Sequence, residues 1–210
     1  MQIAFLVYQG LTALDIIGPY ETLCRIPSAD VRFVAKQPEV SVDTGAFKLK
    51  TEHRLSDVPR PDIFVVPGGL AGTIAASKDE EILSWVREAH AHSTFSTSVC
   101  TGSVILGAAG LLKGLRATTH WAAKAMIEQH GATYVEDRVV RQGRIVTAAG
   151  VSSGIDMAIY LVGELLGPED AKVVQLAIEY DPQPPFDAGS PAKAGEAVVQ
   201  RALAALAATL

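Results

Sequence analysis

The sequence predicts an α/β fold in which a mainly parallel sheet is covered by helices on both faces. Short β-favouring runs alternate with helical patterns along nearly the whole 210 residues. One of these runs, Ile63–Val66, is continuously apolar, as is typical of strands buried on both faces of a parallel sheet. No repeat, linker or low-complexity segment divides the chain. We therefore expect a single domain over residues 1–210.

The first elements follow from periodicity and turn signals. Residues 2–8 are an apolar run of strand length. Apolar residues at helical spacing over 14–24 predict a helix, with Pro19 in its first turns, where proline is tolerated. Residues 31–36 alternate as a second strand, and polar alternation on both sides of 43–45 predicts a hairpin.

The middle of the chain contains two strands that end in distinctive turns. The apolar strand 63–66 stops before the glycine pair 68–69, which allows a sharp turn. An amphipathic pattern with an acidic start predicts a helix over 79–92. The β-favouring run 95–99 then turns at Cys100 into small and aliphatic residues at helical spacing that end at Gly110.

The remaining elements are predicted by the same signals. We expect a short strand at 116–119, a helix at 122–130 stopped by a glycine, and a hairpin formed by 134–140 and 144–148. Helical patterns close the chain, with a break at a Gly-Pro pair and a proline-rich loop between them; they cover 153–166, 170–180 and 194–210.

Candidate functional residues follow three of the predicted strands. Asp15 comes after the first strand, Gly68 and Gly69 follow the strand 63–66, and Cys100 and Thr101 follow the strand 95–99. Because ligands bind beyond the carboxyl ends of parallel strands, these residues can meet at one edge of the sheet. This convergence predicts an active site there. Locally, Asp15 is also explained as a helix N-cap, and the glycine pair is either a structural turn or an anion hole.

Cys100 occupies a strand-turn-helix elbow, a position that exposes the side chain of a nucleophile. The first N–H groups of the helix and the positive end of its dipole favour a thiolate there, so we predict a depressed pKa for Cys100. The alternative is a small buried apolar residue, which is what most free cysteines are.

Composition narrows the classes of partner and location. The net charge is −5, and no Lys/Arg cluster suggests a nucleic-acid partner. The chain has 2 cysteines, too few for a disulfide framework. The apolar N-terminal run lacks a basic segment and is too short for a signal or membrane span, so we expect a cytoplasmic protein without a membrane partner. No cluster at ligand spacing suggests a metal.

Several other polar residues have structural explanations. His120 can reach the cleft but is better explained as a hydrogen-bonded structural histidine, and Cys24 as a core residue. Asp181 and Asp187 lie in a proline-fixed loop that is either solvated or borders the pocket or a subunit interface. Exposed helix or loop positions explain the other histidines, which are His53, His90, His92 and His130.

The chain resembles the DJ-1/ThiJ/PfpI superfamily along nearly its whole length, which implies a flavodoxin-like α/β/α sandwich with a cysteine nucleophile elbow. The residues that carry the resemblance are Asp15, Val66-Pro67-Gly68-Gly69, the Cys100 elbow, Gly110-Leu111-Leu112-Lys113-Gly114 and Thr118-Thr119-His120-Trp121. The isonitrile (isocyanide) hydratase branch is the most similar in three segments, Val99–Ser103, Ala148–Asp156 and Glu179–Phe186. The last two motifs are shared with the ligand-sensing domain of some AraC-type transcription regulators.

Departures from neighbouring branches sharpen the resemblance. Thr101 follows the cysteine where protease-like members have histidine, so a peptidase would lack its base. Asp15 stands where DJ-1-like members have the longer glutamate, as in the hydratases. The regulators append a helix-turn-helix domain, for which a chain ending at 210 leaves no room.

The resemblance implies a hydro-lyase that adds water to an isonitrile and releases an N-substituted formamide. Cys100 would attack the terminal carbon to give a thioimidate, and Asp15 would act as general acid/base. Backbone donors at Gly69, Leu70 and Thr101 would meet developing charge, and the Thr101 hydroxyl would orient water or Asp15. The implied partners are a small-molecule substrate and a second copy in a homodimer, without a cofactor. Alternatives are a glyoxalase- or deglycase-like enzyme on reactive carbonyls and a non-catalytic cysteine sensor.

Overall fold

A seven-stranded sheet forms the centre of the protein in a computed structural model, which describes residues 1–43 and 45–208. The strands are β1 (Gln2–Val7), β2 (Asp30–Ala35), β3 (Glu39–Ser41), β4 (Lys48–Lys50), β5 (His53–Arg54), β6 (Ile63–Val66), β7 (Phe95–Val99), β8 (Arg116–Ala117), β9 (Thr133–Tyr134), β10 (Val139–Gln142) and β11 (Ile145–Ala148). The main sheet has the order β10-β11-β7-β6-β1-β2-β5. Only β10 pairs antiparallel within it. The remaining strands form two small two-stranded sheets, β3-β4 and β8-β9.

Helices cover both faces of this sheet. They are α1 (Ala13–Leu23), α2 (Leu70–Ala76), α3 (Glu80–His92), α4 (Gly102–Ala108), α5 (Lys124–Glu128), α6 (Ser153–Leu166), α7 (Pro168–Ala177), α8 (Pro191–Ala194) and α9 (Glu196–Ala207). α1 packs against α6, and α6 packs against α7. α4 contacts α2, α3 and α5. Because crossovers between parallel strands are right-handed, these two groups lie on opposite faces.

The five central parallel strands have the flavodoxin-like order β2-β1-β6-β7-β11. All residues of β6 are buried, as its apolar run predicted, and so are all residues of β7 and β11. Successive connections leave β1 and β6 in opposite directions, which opens a crevice at the carboxyl ends of these two strands. The predicted sandwich with a mainly parallel sheet is confirmed, and it directs the residues that follow β1, β6 and β7 to one edge.

Some predicted boundaries differ from the structure. The predicted strand 116–119 is shorter, and it pairs with β9 in a sheet of its own. The segment 134–140 divides between β9 and β10, so only its second part forms the predicted hairpin with β11. The hairpin predicted around 43–45 is present as β3 and β4, and Thr44 lies outside the described residues.

The predicted C-terminal helix 194–210 is present as α9, which begins two residues later than predicted, at Glu196. Gly195, with a φ of 75°, separates α9 from the short helix α8 that precedes it. The last two residues of the predicted range, 209–210, lie outside the described residues. In residues 1–43 and 45–208, no helix is long and apolar enough to cross a membrane.

Candidate active site

Cys100 lies at the sharp turn between β7 and α4. Its φ of 56° is in the left-handed region, which is strained for a residue with a side chain. Backbone hydrogen bonds hold this conformation: the N–H donates to Ala148 O (3.1 Å) and Ala149 O (2.8 Å). The carbonyl accepts from the hydroxyls of Thr119 (3.0 Å) and Ser103 (3.1 Å). The elbow predicted from the sequence is therefore present and is fixed from both sides.

The Cys100 thiol is more protected from water than the sequence suggested, with only 6% of the residue exposed. Burial raises its pKa well above the ordinary 9.0, and the charge of Asp15 raises it further. Backbone N–H groups of Thr101 and Val151 lower the pKa but do not outweigh burial. The predicted depression of the Cys100 pKa is therefore wrong, because burial disfavours the thiolate more than the N–H groups at the start of the short helix α4 favour it.

Asp15 lies in the first turn of α1 and is fully buried. Its Oδ2 accepts a hydrogen bond from Gly68 N–H at 2.9 Å. Its Oδ1 is buried without a hydrogen-bond partner of ordinary geometry among the described residues. Burial raises the pKa of Asp15 from 3.8 to about 7, against the lowering effects of Gly68 N–H and the Cys100 thiol. The N-cap explanation does not hold, because Thr12 is the N-cap residue of α1.

The raised pKa of Asp15 predicts a pH-dependent stability. A carboxyl whose pKa is 3.8 when unfolded and about 7 when folded favours folding below about pH 4, and this contribution is lost as the pH rises through 7. Relative to the wild type, Asp15→Asn is expected to gain free energy of unfolding between pH 4 and pH 8, by the order of 4 kcal/mol. Urea unfolding at several pH values measures this difference; a constant offset between the two proteins would contradict it.

Gly68 brings Asp15 and Thr101 together. A Cβ at Gly68 would lie 2.6 Å from Thr101 N, 2.6 Å from Thr101 Oγ1 and 2.7 Å from Asp15 Oδ2. Both side-chain oxygens therefore lie close to one point beside the Gly68 Cα. Glycine is needed here for close approach. The N–H groups of Gly68 and Gly69 donate to the side chains of Asp15 and Thr101, so in this structure the pair is a turn that holds these two side chains.

Gly68→Ala is expected to destabilise the protein by about 1–3 kcal/mol and to displace Asp15 or Thr101, because backbone N of Thr101 cannot yield as a flexible side chain can. Gly163→Ala is the matched control, since its Cβ would meet only Ala171 Cβ at 3.6 Å inside α6. Alanine there is expected to be neutral or stabilising by up to about 1 kcal/mol. Thermal unfolding of both variants measures the contrast; equal losses would contradict the crowding at Gly68.

The three predicted backbone donors have different surroundings. Gly69 N–H donates to Thr101 Oγ1 at 2.9 Å, so in this structure it is not free to face a substrate. Thr101 N–H is directed to the Cys100 thiol. Leu70 begins α2, where N–H groups have no partner within the helix. The Thr101 hydroxyl is buried and also bonds to Thr73 Oγ1 at 2.8 Å.

Two cavities lie beside the residues around Cys100, and His120 lines both of them. A cleft of about 410 Å³ is lined by Leu14, Thr119, His120, Trp121, Tyr134, Glu136, Arg138, Ala149, Gly150, Val151, Ser152, Gly189, Ser190 and Pro191. A more apolar cavity of about 210 Å³ is lined by Leu70, Ile74, Thr101, His120, Ala122, Ala123, Met126, Leu203, Leu206 and Ala207. The second cavity reaches the residue next to Cys100 and is partly walled by α9.

His120 is both a structural and a cleft residue. Its Nδ1 accepts a hydrogen bond from Ala122 N–H at 3.3 Å, as the structural explanation predicted. Its ring also packs against Gly150, where a Cβ would lie 3.0 Å from Cδ2. Burial lowers the pKa of His120, which favours the neutral ring. Val151 was not predicted as a site residue. Its N–H group is directed at the Cys100 thiol, and the direction of that group depends on the fold rather than on the local sequence.

Other predictions for single residues are mixed. Cys24 is half-buried at the end of α1 and is not part of the core that was predicted for it. His90 is half-buried and bonds to Ser96 Oγ at 2.7 Å, which differs from the exposed position expected. In the proline-rich loop, Asp187 is exposed and pairs with Lys193. Gly189 and Ser190 of the same loop line the cleft.

The described residues contain no group of three or more His, Cys, Asp or Glu side chains that could hold a metal ion. What the arrangement offers is a buried thiol and a buried carboxyl that interact with each other. Such a pair can transfer one proton between its members and to a bound molecule. The arrangement is suited to nucleophilic addition with general acid/base help.

Known proteins are similar to this chain in sequence and in fold. A family model described as the DJ-1/PfpI family matches residues 1–164. The isonitrile hydratase of Pseudomonas putida is 45% identical over 202 residues, which cover 96% of this chain and 88% of the hydratase. An HTH-type transcriptional regulator of Pseudomonas aeruginosa is 25% identical over 190 residues, which cover 85% of this chain and 53% of the regulator.

A solved structure extends the comparison to three dimensions. The crystal structure of a ThiJ/PfpI family protein from Pseudomonas syringae matches with a TM-score of 0.93 at 40% identity. The match covers 99% of this chain and 86% of that one. Sequence motifs, fold and relatives agree, and the resemblance found in the sequence is confirmed. The chain belongs to the DJ-1/PfpI family.

Proposed function

We propose that this protein is an isonitrile hydratase, a hydro-lyase that converts R–N≡C and water into the formamide R–NH–CHO. The observation that carries the proposal is the buried pair of Cys100, at a strained elbow, and Asp15, whose proton is held near neutral pH. The 45% identity to a hydratase over nearly the whole chain supports the choice of substrate.

The first chemical step would form a thioimidate. Asp15, as a carboxylate, takes the proton of the Cys100 thiol, and the sulfur attacks the terminal carbon of the isonitrile. The same proton is then delivered to that carbon, giving R–N=CH–S–Cys100. The N–H groups of Thr101 and Val151 would stabilise the negative charge on sulfur while the proton is away, because both are directed at the thiol.

The second step would hydrolyse the thioimidate. Water adds its oxygen to the carbon, and one of its protons passes to nitrogen to give R–NH–CH(OH)–S–Cys100. The hydroxyl proton then returns to sulfur as the C–S bond breaks, and the formamide leaves. Asp15 can carry both protons because a pKa of about 7 lets it accept and donate at neutral pH. No cofactor enters this balance.

The apolar cavity beside Thr101 suits the R group of the substrate. An isonitrile is neutral, and the cavity's lining is almost entirely aliphatic. Its volume of about 210 Å³ is enough for a small alkyl or cycloalkyl group. The homodimer, the cytoplasmic location and the single domain over residues 1–210 stay predictions.

Incubation with an alkyl isonitrile tests the proposal directly. Nuclear magnetic resonance is expected to show the N-alkylformamide accumulating over many turnovers of the protein. Parallel incubations with methylglyoxal and with mild peroxide test the carbonyl and sensor alternatives. Formation of lactate without any formamide would support the carbonyl enzyme, and a stable oxidation of Cys100 with neither product would support the sensor.

A further inference from the structure

A chain of three buried hydroxyl groups lies behind the candidate active site. The Tyr8 hydroxyl donates to Pro67 O at 2.7 Å and lies 3.0 Å from Thr73 Oγ1. Thr73 Oγ1 lies 2.8 Å from Thr101 Oγ1, which accepts from Gly69 N–H at 2.9 Å. The chain joins the end of β1, helix α2 and the Cys100 elbow.

Counting hydrogens fixes the direction of every bond in this chain. A carbonyl oxygen only accepts, so the single hydroxyl hydrogen of Tyr8 belongs to the bond with Pro67. Tyr8 must then accept from Thr73, whose only hydroxyl hydrogen is used in that bond. Thr73 in turn must accept from Thr101. The hydroxyl hydrogen of Thr101 therefore points to Thr73.

This direction matters because an alternative acceptor is close. Thr101 Oγ1 and Asp15 Oδ2 lie 2.6 Å and 2.7 Å from the point that a Gly68 Cβ would occupy. Because both oxygens border the same point, a Thr101 hydroxyl that has lost its acceptor at Thr73 can turn toward the Asp15 carboxyl. Tyr8, Thr73 and Thr101 are all buried, so water does not readily take the place of a lost partner.

We propose that Tyr8 and Thr73 are positioning residues that turn the Thr101 hydroxyl hydrogen away from Asp15 and so leave the Asp15 carboxyl free to exchange a proton with Cys100. The inference rests on the proton-transfer role assigned to Asp15 in the proposed function. Neither Tyr8 nor Thr73 touches the substrate in this scheme. Both act through Thr101.

The consequence concerns the protonation of Asp15. The titratable groups that act on this carboxyl are the Cys100 thiol and the Asp43 carboxylate, and the Tyr8 hydroxyl lies near enough for its own pKa to be raised by Asp15. A hydrogen bond donated to the carboxylate favours the charged form. Releasing the Thr101 hydroxyl toward Asp15 therefore lowers the pKa of Asp15.

Thr73→Val tests this, with Thr73→Ser as the matched variant that keeps the hydroxyl. Difference infrared spectroscopy follows the C=O stretch of protonated Asp15, identified by its absence from Asp15→Asn. The band is expected to disappear near pH 7 in the wild type and in Thr73→Ser. In Thr73→Val it is expected to disappear about one pH unit lower.

A double substitution tests whether Thr101 carries the effect. In a Thr101→Val background no hydroxyl is available, so adding Thr73→Val is expected to cause no further shift. Equal titration of Thr73→Val and Thr73→Ser would overturn the proposal, as would a shift that persists without the Thr101 hydroxyl. A purely structural role for Thr73 would predict the second result.

Tyr8→Phe provides an independent variant if Thr73→Val does not fold. Loss of the last acceptor lets Thr73 donate to Thr101, which reverses the chain and again turns the Thr101 hydrogen toward Asp15. The same downward shift is expected, and its absence would overturn the proposal. Tyr20→Phe is the control, because Tyr20 packs on Phe5 and Phe33 and lies outside the chain. The infrared titration needs no turnover, so absence of formamide would count against the proposed function alone.

Discussion

Cys100→Ala is expected to form no N-alkylformamide above the uncatalysed rate, a loss of at least about 10⁴-fold in kcat. The proposed mechanism passes through a bond between sulfur and the isonitrile carbon, and no other group at the elbow can form it. Alanine removes a single atom from a buried site, so the fold is expected to persist. Formamide is measured by nuclear magnetic resonance, and intact mass spectrometry follows the thioimidate.

Cys24 offers a matched control for this substitution. Cys24→Ala removes the other thiol of the chain, on α1 away from the elbow, and is expected to keep the full rate. Thermal unfolding of both variants separates loss of chemistry from loss of fold. Turnover by Cys100→Ala within about tenfold of the wild type would exclude covalent catalysis by this cysteine.

Asp15→Asn is expected to lower kcat by about 10²–10⁴-fold, the range for loss of a general acid/base. Asparagine keeps an oxygen that can accept from Gly68 N–H, so the turn at 68–69 should remain. What it loses is the ability to carry a proton in either step. Steady-state rates of formamide production measure the effect, with the exposed Asp187→Asn as control.

The pH dependence of kcat/KM tests the role of Asp15 further. The productive free enzyme holds one proton on the Asp15–Cys100 pair, with Asp15 ionised and the thiol protonated. The wild-type kcat/KM is therefore expected to rise as the pH rises through about 7 and then to level off. The rise should be absent in Asp15→Asn. If kcat/KM of Asp15→Asn still rises near pH 7, the titrating group is not Asp15.

The raised pKa values of Cys100 and Asp15 point to a different activation of the cysteine from the one predicted from the sequence. A helix N-terminus acting alone would keep Cys100 ionised as a thiolate. In the buried pair, Cys100 is instead a protonated thiol with the Asp15 carboxyl beside it as a base. In the proposed mechanism, activation of Cys100 then depends on Asp15 and on the residues that keep its carboxyl available. This is why Gly68, which permits the approach, and Thr73, which holds the Thr101 hydroxyl, matter although neither performs chemistry.

Part of this site could be predicted from local sequence. The elbow at Cys100, the buried strand Ile63–Val66 and the glycine pair 68–69 each have short-range signals, because strand length, helical spacing and turn chemistry depend on neighbouring residues. The rule that parallel strands present their carboxyl ends at one edge then placed Asp15 with Cys100. The family resemblance added the reaction.

The sequence by itself therefore determined the α/β class, the turn at Cys100 and the convergence of Asp15 with Cys100. Tertiary structure decided the electrostatics and the hydrogen-bond directions. Burial of Cys100 depends on segments far along the chain, and it reversed the predicted pKa shift. Tyr8 and Thr73 gave no signal, because their hydroxyls matter only through partners on other elements. Desolvation and the direction of a hydroxyl hydrogen are properties of a packed interior, and local pattern does not contain them.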